Sequence, residues 1–167
     1  MYKLDEIAPG DLILMVKSPQ DSFFAELLDW GISLSEANPF VHACLVGDGY
    51  LIDPVTRVEK APLDRYCENG WPFVVVATEA QRAAAVTWAE RRLGWKYGFL
   101  QLAGDFARYD LHWVSPRLYR WKPRHWTCSG FVTAAYASAK VQLTLAPAPS
   151  PGDLSYSPLL RGLRPWQ

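Results

Sequence analysis

The chain has 167 residues, 50% of them hydrophobic and 20% charged, which suits a single packed domain and argues against disorder. Lysine plus arginine equals aspartate plus glutamate at 17 each, so no net charge draws the protein toward nucleic acid or an acidic membrane. Cys44, Cys67 and Cys128 are too few and too odd a set for a disulfide framework, and no Cys-x-x-Cys or His-x-x-x-His spacing offers a metal site.

The opening Met1-Tyr2-Lys3-Leu4-Asp5-Glu6 has acids where a signal peptide carries its apolar core. No apolar run reaches the length of a bilayer span. The expectation is a cytoplasmic protein as synthesised, without a transmembrane segment; release to a cell wall or a virion would need a route that uses no signal.

Pro9-Gly10-Asp11 reads as a turn, and Leu12 to Val16 as a buried strand. Ser18 to Ser22 offers caps for a helix through Phe23, Phe24, Leu27 and Leu28. Asn38-Pro39 breaks the chain before a second strand, Phe40 to Val46. Gly47-Asp48-Gly49 is a hairpin-type turn, and Tyr50 to Asp53 pairs back as a third strand. A fourth strand is expected over Pro72 to Ala77.

Thr78-Glu79-Ala80-Gln81 has the form of a capping box and opens an alanine-rich helix to about Leu93, with Gly94 as its stop. A short helix is expected near Phe99 to Ala107, followed by a loop. Cys128 to Ala139 is small, apolar and helix-compatible. From about Leu145 the chain is rich in proline and serine and reads as an irregular tail. The whole, 1–167, reads as one catalytic domain.

Cys128 lies in Trp126-Thr127-Cys128-Ser129-Gly130-Phe131-Val132, at or near a helix N-terminus. Unpaired amides and the helix dipole there favour an anion, hence the thiolate. The Cys128 amide is also placed to face a developing oxyanion. The plainer alternative is a buried, inert thiol.

Among the histidines, His42 stands mid-strand, where alternation puts it on the same side as Cys44 and Val46. A base needs positioning by rigid elements, which favours His42 over His112 and His125 in their loops. Asp53 ends the strand that folds back from His42 and is the candidate to orient its imidazole. A turn-starting Asp53-Pro54 is the competing explanation.

Cys128-Ser129-Gly130-Phe131-Val132 resembles the nucleophile motif of the NlpC-type, papain-like cell-wall peptidases, with Thr127 where those proteins usually carry aspartate. Trp95-Lys96-Tyr97-Gly98 is similar to their Tyr-x-Gly element. The strand half of that family, Pro9 to Ile13 and Val41 to Asp53, here precedes the cysteine. That is the order of the circularly permuted branch, which includes YiiX-like amidases and lecithin:retinol acyltransferase-like enzymes.

The resemblance implies an α+β, papain-like fold, an antiparallel sheet packed against the nucleophile helix. It implies Cys128 as nucleophile, His42 as base, Asp53 as third polar residue and Tyr97 as active-site support. It implies no cofactor and no metal. The expected activity is a cysteine hydrolase, amidase or peptidase, working through an acyl-enzyme on a peptide or another acyl-containing substrate. Lipid-directed acyl transfer or thioester hydrolysis on the same fold is the alternative, and a catalytically silent binding or assembly module is a third.

The aromatic-basic segment 108–126 holds Arg124 and Trp126, candidates to contact substrate. Such mixtures also bind single-stranded nucleic acid or membranes, but a neutral chain makes a solvated loop over the core the simpler reading, and no nucleic-acid partner is expected.

Overall fold

A computed structural model describes residues 2–16, 38–96, 127–147 and 149–163. The expected helices near Phe23 to Leu28 and near Phe99 to Ala107 lie outside these residues. Six strands form one antiparallel sheet: β1 (Leu12–Val16), β2 (Phe40–Val46), β3 (Leu51–Pro54), β4 (Val58–Ala61), β5 (Gly70–Val75) and β6 (Leu160–Gly162), in the order β4-β3-β2-β1-β5-β6. The described α-helices are α1 (Glu79–Glu90), α2 (Cys128–Ser138) and the short α3 (Pro151–Ser155). The mixed α+β class expected from the sequence is the class observed.

The central strand β1 has no polar alternation because both of its faces are covered. Leu12 and Leu14 pack with Ala43, Leu45, Ile52 and Phe73 in the cluster that also holds Phe131 and Val132 of α2. Ile13 and Met15 pack on the other side with Cys44, Val46, Leu51 and Tyr66.

In β2 a simple alternation would put Phe40 with Cys44. Instead the register against β1 shifts between Met15 and Val16, and Phe40 joins the helix-side cluster while Cys44 joins the opposite one. His42 sits at this crossover. Irregularities of this kind re-aim a side chain and occur beside active sites.

The capping box read at Thr78 is present. Thr78 Oγ1 accepts from the Gln81 amide at 3.2 Å, and Gln81 Oε1 accepts from the Thr78 amide at 3.0 Å. Ala85 and Ala89, one turn apart on the buried face of α1, are small enough to let α2 pack closely. Trp88 then lies over Phe131, with ring centroids 5.6 Å apart.

One expectation needs correction, and one strand was not expected. The stretch from about Leu145 is not irregular throughout: α3 is opened by a Ser150–Asp153 capping box, and β6 pairs with β5 at the sheet edge. The strand β4 was not anticipated, because Val58-Glu59-Lys60-Ala61 is short and does not alternate apolar with polar residues. Among the described residues no helix is long and apolar enough to cross a membrane.

Candidate active site

The nucleophile candidate begins α2. Thr127 is its N-cap, in an extended conformation, and its Oγ1 accepts from the Gly130 amide at 3.1 Å. The Phe131 amide donates to the Thr127 carbonyl at 2.8 Å. Gly130 is needed beside this cap, since a Cβ there would lie 2.8 Å from Thr127 Oγ1. Ser129 Oγ donates to the Pro149 carbonyl at 2.5 Å, which ties the first turn to the segment leading into α3. Phe131, Val132, Ala135 and Tyr136 face the core, a helical seam that anchors α2 and leaves Cys128 at its end, 4% exposed.

His42 is buried, and its Nε2 meets Asp53 Oδ1 at 2.7 Å. Asp53 is fully buried, and as a carboxylate it only accepts, so Nε2 carries the proton in this bond. Leu45 pairs with Ile52 across β2 and β3; carried one residue further, this register sets Asp53 across from Cys44 and diagonal to His42, within reach of a long side chain. The imidazole also interacts with Cys128, through charge and a side-chain hydrogen bond. With Nε2 committed to Asp53, Nδ1 is the nitrogen left for the sulfur.

These neighbours set the protonation. Burial alone would lower the basicity of His42, but the negative charges of Cys128 and Asp53, with hydrogen bonds to both, outweigh it and push its pKa up to about 10. Burial would raise the Asp53 pKa; the His42 charge and hydrogen bond, the Tyr66 hydroxyl and the Arg65 charge together bring it below the usual carboxylate range. Burial pushes the Cys44 thiol well above its ordinary value, and its Sγ lies 3.8 Å from the Ile13 carbonyl. A thiol so placed is a core residue.

Cys128, His42 and Asp53 are therefore brought together from α2, β2 and β3. Tyr97, Arg124, Trp126, His112 and His125 lie outside the described residues. Sequence reasoning missed Tyr66, whose hydroxyl donates to Asp53 Oδ2 at 2.7 Å, and Arg65, 3.6 Å from the same oxygen. Both come from the turn between β4 and β5. The available signal was indirect: a carboxylate on a buried strand needs partners for both oxygens, and the turn after β4 carries the polar run Asp64-Arg65-Tyr66.

No family model matches the chain, and no curated protein matches it. Among solved structures it is similar to the crystal structure of the metalloprotein yiiX from Escherichia coli O157:H7 (DUF1105), with a TM-score of 0.65 and 16% identity over 95% of this chain and 97% of that one. That protein is described as a metalloprotein. Here no group of three or more His, Cys, Asp or Glu among the described residues is arranged to hold a metal ion. Both Asp53 oxygens are already taken by His42 and Tyr66, so these side chains do not fit a metal centre. At this identity the likeness is one of fold: the mixed α+β architecture of this chain, with its six-stranded antiparallel sheet, is the architecture of yiiX.

Proposed function

We propose that the protein is a cysteine hydrolase acting on amide or other acyl bonds, with Cys128 as nucleophile, His42 as base and Asp53 as its orienting carboxylate. The observation that carries this reading is the single imidazole of His42, bonded through Nε2 to Asp53 at 2.7 Å and interacting also with Cys128. Three residue types with these mutual contacts are what nucleophilic acyl chemistry needs. The order of elements, with the histidine strand ahead of the cysteine helix, supports placement in the circularly permuted NlpC-type, papain-like group.

In the mechanism, His42 takes the Cys128 proton and the two form a thiolate–imidazolium pair. The thiolate attacks the acyl carbon and a C–S bond forms. Negative charge develops on the acyl oxygen, which the N-terminus of α2, including the Cys128 amide, is oriented to stabilise. When the C–N or C–O bond breaks, His42 returns the proton to the departing amine or alcohol. Water, deprotonated by His42, then attacks the thioester and regenerates the thiol. An amine or alcohol acceptor in place of water converts the same cycle to acyl transfer.

The test is the pH dependence of Cys128 alkylation by iodoacetamide, read by mass spectrometry in wild type and His42→Ala. Reaction well below the ordinary thiol range that disappears without His42 supports the reading. Panels of peptide-amide and lipid-acyl substrates, each with and without added amine, then separate hydrolysis from transfer. A Cys128 that titrates like a free thiol in both proteins sinks the enzyme reading in favour of a binding module.

A further inference from the structure

Asp53 is buried to 0% exposure, and a buried carboxylate stays ionised only if its oxygens are satisfied. One oxygen faces His42; the other is held by a segment that the proposed mechanism does not use. The turn 63–69 is pinned at several points. The Tyr2 hydroxyl donates to the Leu63 carbonyl at 2.6 Å, the Cys67 amide to the Asp64 carbonyl at 3.0 Å, and the Gly70 amide to the Tyr66 carbonyl at 2.7 Å. Gly70 has no room for a side chain, since a Cβ would lie 2.6 Å from the Tyr66 carbonyl oxygen. The turn is thus packed tightly against the sheet at the residue whose hydroxyl meets Asp53.

We propose that Tyr66 is a positioning residue of this site, its hydroxyl fixing Asp53 as an aimed and ionised carboxylate, so that the working unit is the four-membered chain Cys128–His42–Asp53–Tyr66. Its effect on reactivity rests on the cysteine-hydrolase reading; its effect on Asp53 rests on geometry alone.

The groups around Asp53 decide which of them matters. From β2 come His42, bonded to Oδ1, and the un-ionised Cys44 thiol. From β4 comes Glu59, paired with Asp53 in register but bonded at 3.1 Å to Arg65. From the turn come Arg65 and Tyr66, and from α2 comes Cys128, which acts through His42. Arg65 lies 3.6 Å from Oδ2, is 37% exposed and is shared with Glu59, so solvent screens its charge. Tyr66 is 6% exposed and donates at 2.7 Å. Burial also holds the phenol pKa above its ordinary value, so it remains a donor throughout the working range.

The test uses the full chain as wild type, Tyr66→Phe and Arg65→Ala. Phenylalanine keeps the ring and its edge-on packing with His42, centroids 6.1 Å apart, and removes only the hydroxyl. Two titrations are read: the carboxyl 13C shift of Asp53, identified by its loss in Asp53→Asn, and the acid limb of Cys128 alkylation. Loss of a hydrogen bond to a buried charge is expected to raise the Asp53 midpoint by about one to two pH units in Tyr66→Phe, with a smaller rise in Arg65→Ala. The alkylation limb shifts from its wild-type position with it, because the Asp53 charge acts on the sulfur through His42.

Replacing Tyr66 by 3,5-difluorotyrosine strengthens the donor at nearly constant shape and is expected to lower the same midpoint, so the question is answered even if Tyr66→Phe fails to fold. Midpoints that coincide with wild type in the foldable variants overturn the proposal and leave Tyr66 a packing residue. An unreactive wild-type Cys128 would remove the hydrolase reading, while the Asp53 midpoint still decides the role of Tyr66.

Discussion

Thr127 caps the helix that starts with Cys128 by accepting the Gly130 amide at 3.1 Å, so the residue before the nucleophile candidate sets the geometry of its first turn. Aspartate, the residue usual at this place in the peptidases the motif resembles, is an equally good cap. It differs in carrying a charge next to the sulfur. Thr127→Ala is expected to lose about 1 kcal/mol of stability. Thr127→Asp is expected to keep that stability while moving the acid limb of Cys128 alkylation to higher pH, because a neighbouring carboxylate disfavours the thiolate. Thermal melts and alkylation rates on the two variants separate the two roles. An acid limb unmoved by the aspartate would mean that position 127 acts on Cys128 through helix geometry alone.

Gly130 tests the same turn from its other end. Alanine in a helix is worth about 1 kcal/mol over glycine, but a Cβ at 130 would sit 2.8 Å from Thr127 Oγ1 and displace the cap, a loss of similar size. The melting temperature of Gly130→Ala is therefore expected to change little while alkylation of Cys128 slows. In the double variant Thr127→Ala/Gly130→Ala the clash is gone, so the two changes should be less harmful together than their sum. Strict additivity in that cycle would count against the contact.

Much of the framework was legible in the sequence, because its signals are local. The uninterrupted apolar run of β1, the Gly47-Asp48-Gly49 turn and the Thr78–Gln81 box each carry their own physics within a few residues. The pairing of His42 with Asp53 was legible for the same reason, as two strands joined by a short turn. What escaped was non-local or too short. The crossover of faces at His42 depends on a register shift against β1 that the β2 residues alone do not encode. The Tyr66 contact spans the β4 excursion, and β4 itself is four residues long. The α3 start was readable in principle, since Ser150-Pro151-Gly152-Asp153 has the capping-box form, but the surrounding prolines masked it.

The base has its own signature in the pH profile. His42 is held up to about 10 by Cys128 and Asp53, so the imidazolium that would protonate a leaving group under the proposed mechanism persists through neutral pH. Alkylation and turnover should therefore respond differently to alkali: thiolate alkylation continues, while any acyl chemistry that needs the imidazolium declines as pH approaches about 10. Asp53→Asn removes one of the two charges, and the alkaline limb should then fall at lower pH. A limb that stays where it was in wild type would show that Asp53 does not support the His42 charge.

Stability should carry the same pair of titrations with opposite signs. The His42 pKa is raised in the folded state above its ordinary 6.5, so its contribution is fully present below that value and is lost as pH rises toward about 10. The Asp53 pKa is lowered from its ordinary 3.8, so its contribution is present above that value and is lost as pH falls through the folded one. Tyr2, Tyr66 and Tyr136, raised by burial, add to the alkaline loss, since the unfolded chain releases those protons first. The difference in melting temperature between wild type and Asp53→Asn isolates the His42–Asp53 part. It should be largest near neutral pH and shrink toward both extremes, whereas Thr127→Ala, which removes no charge, should lower the melting temperature by a nearly constant amount. A wild-type minus Asp53→Asn difference that is flat across this range would mean that the pair adds no proton-linked stability, and the charge coupling between His42 and Asp53 would have to be abandoned.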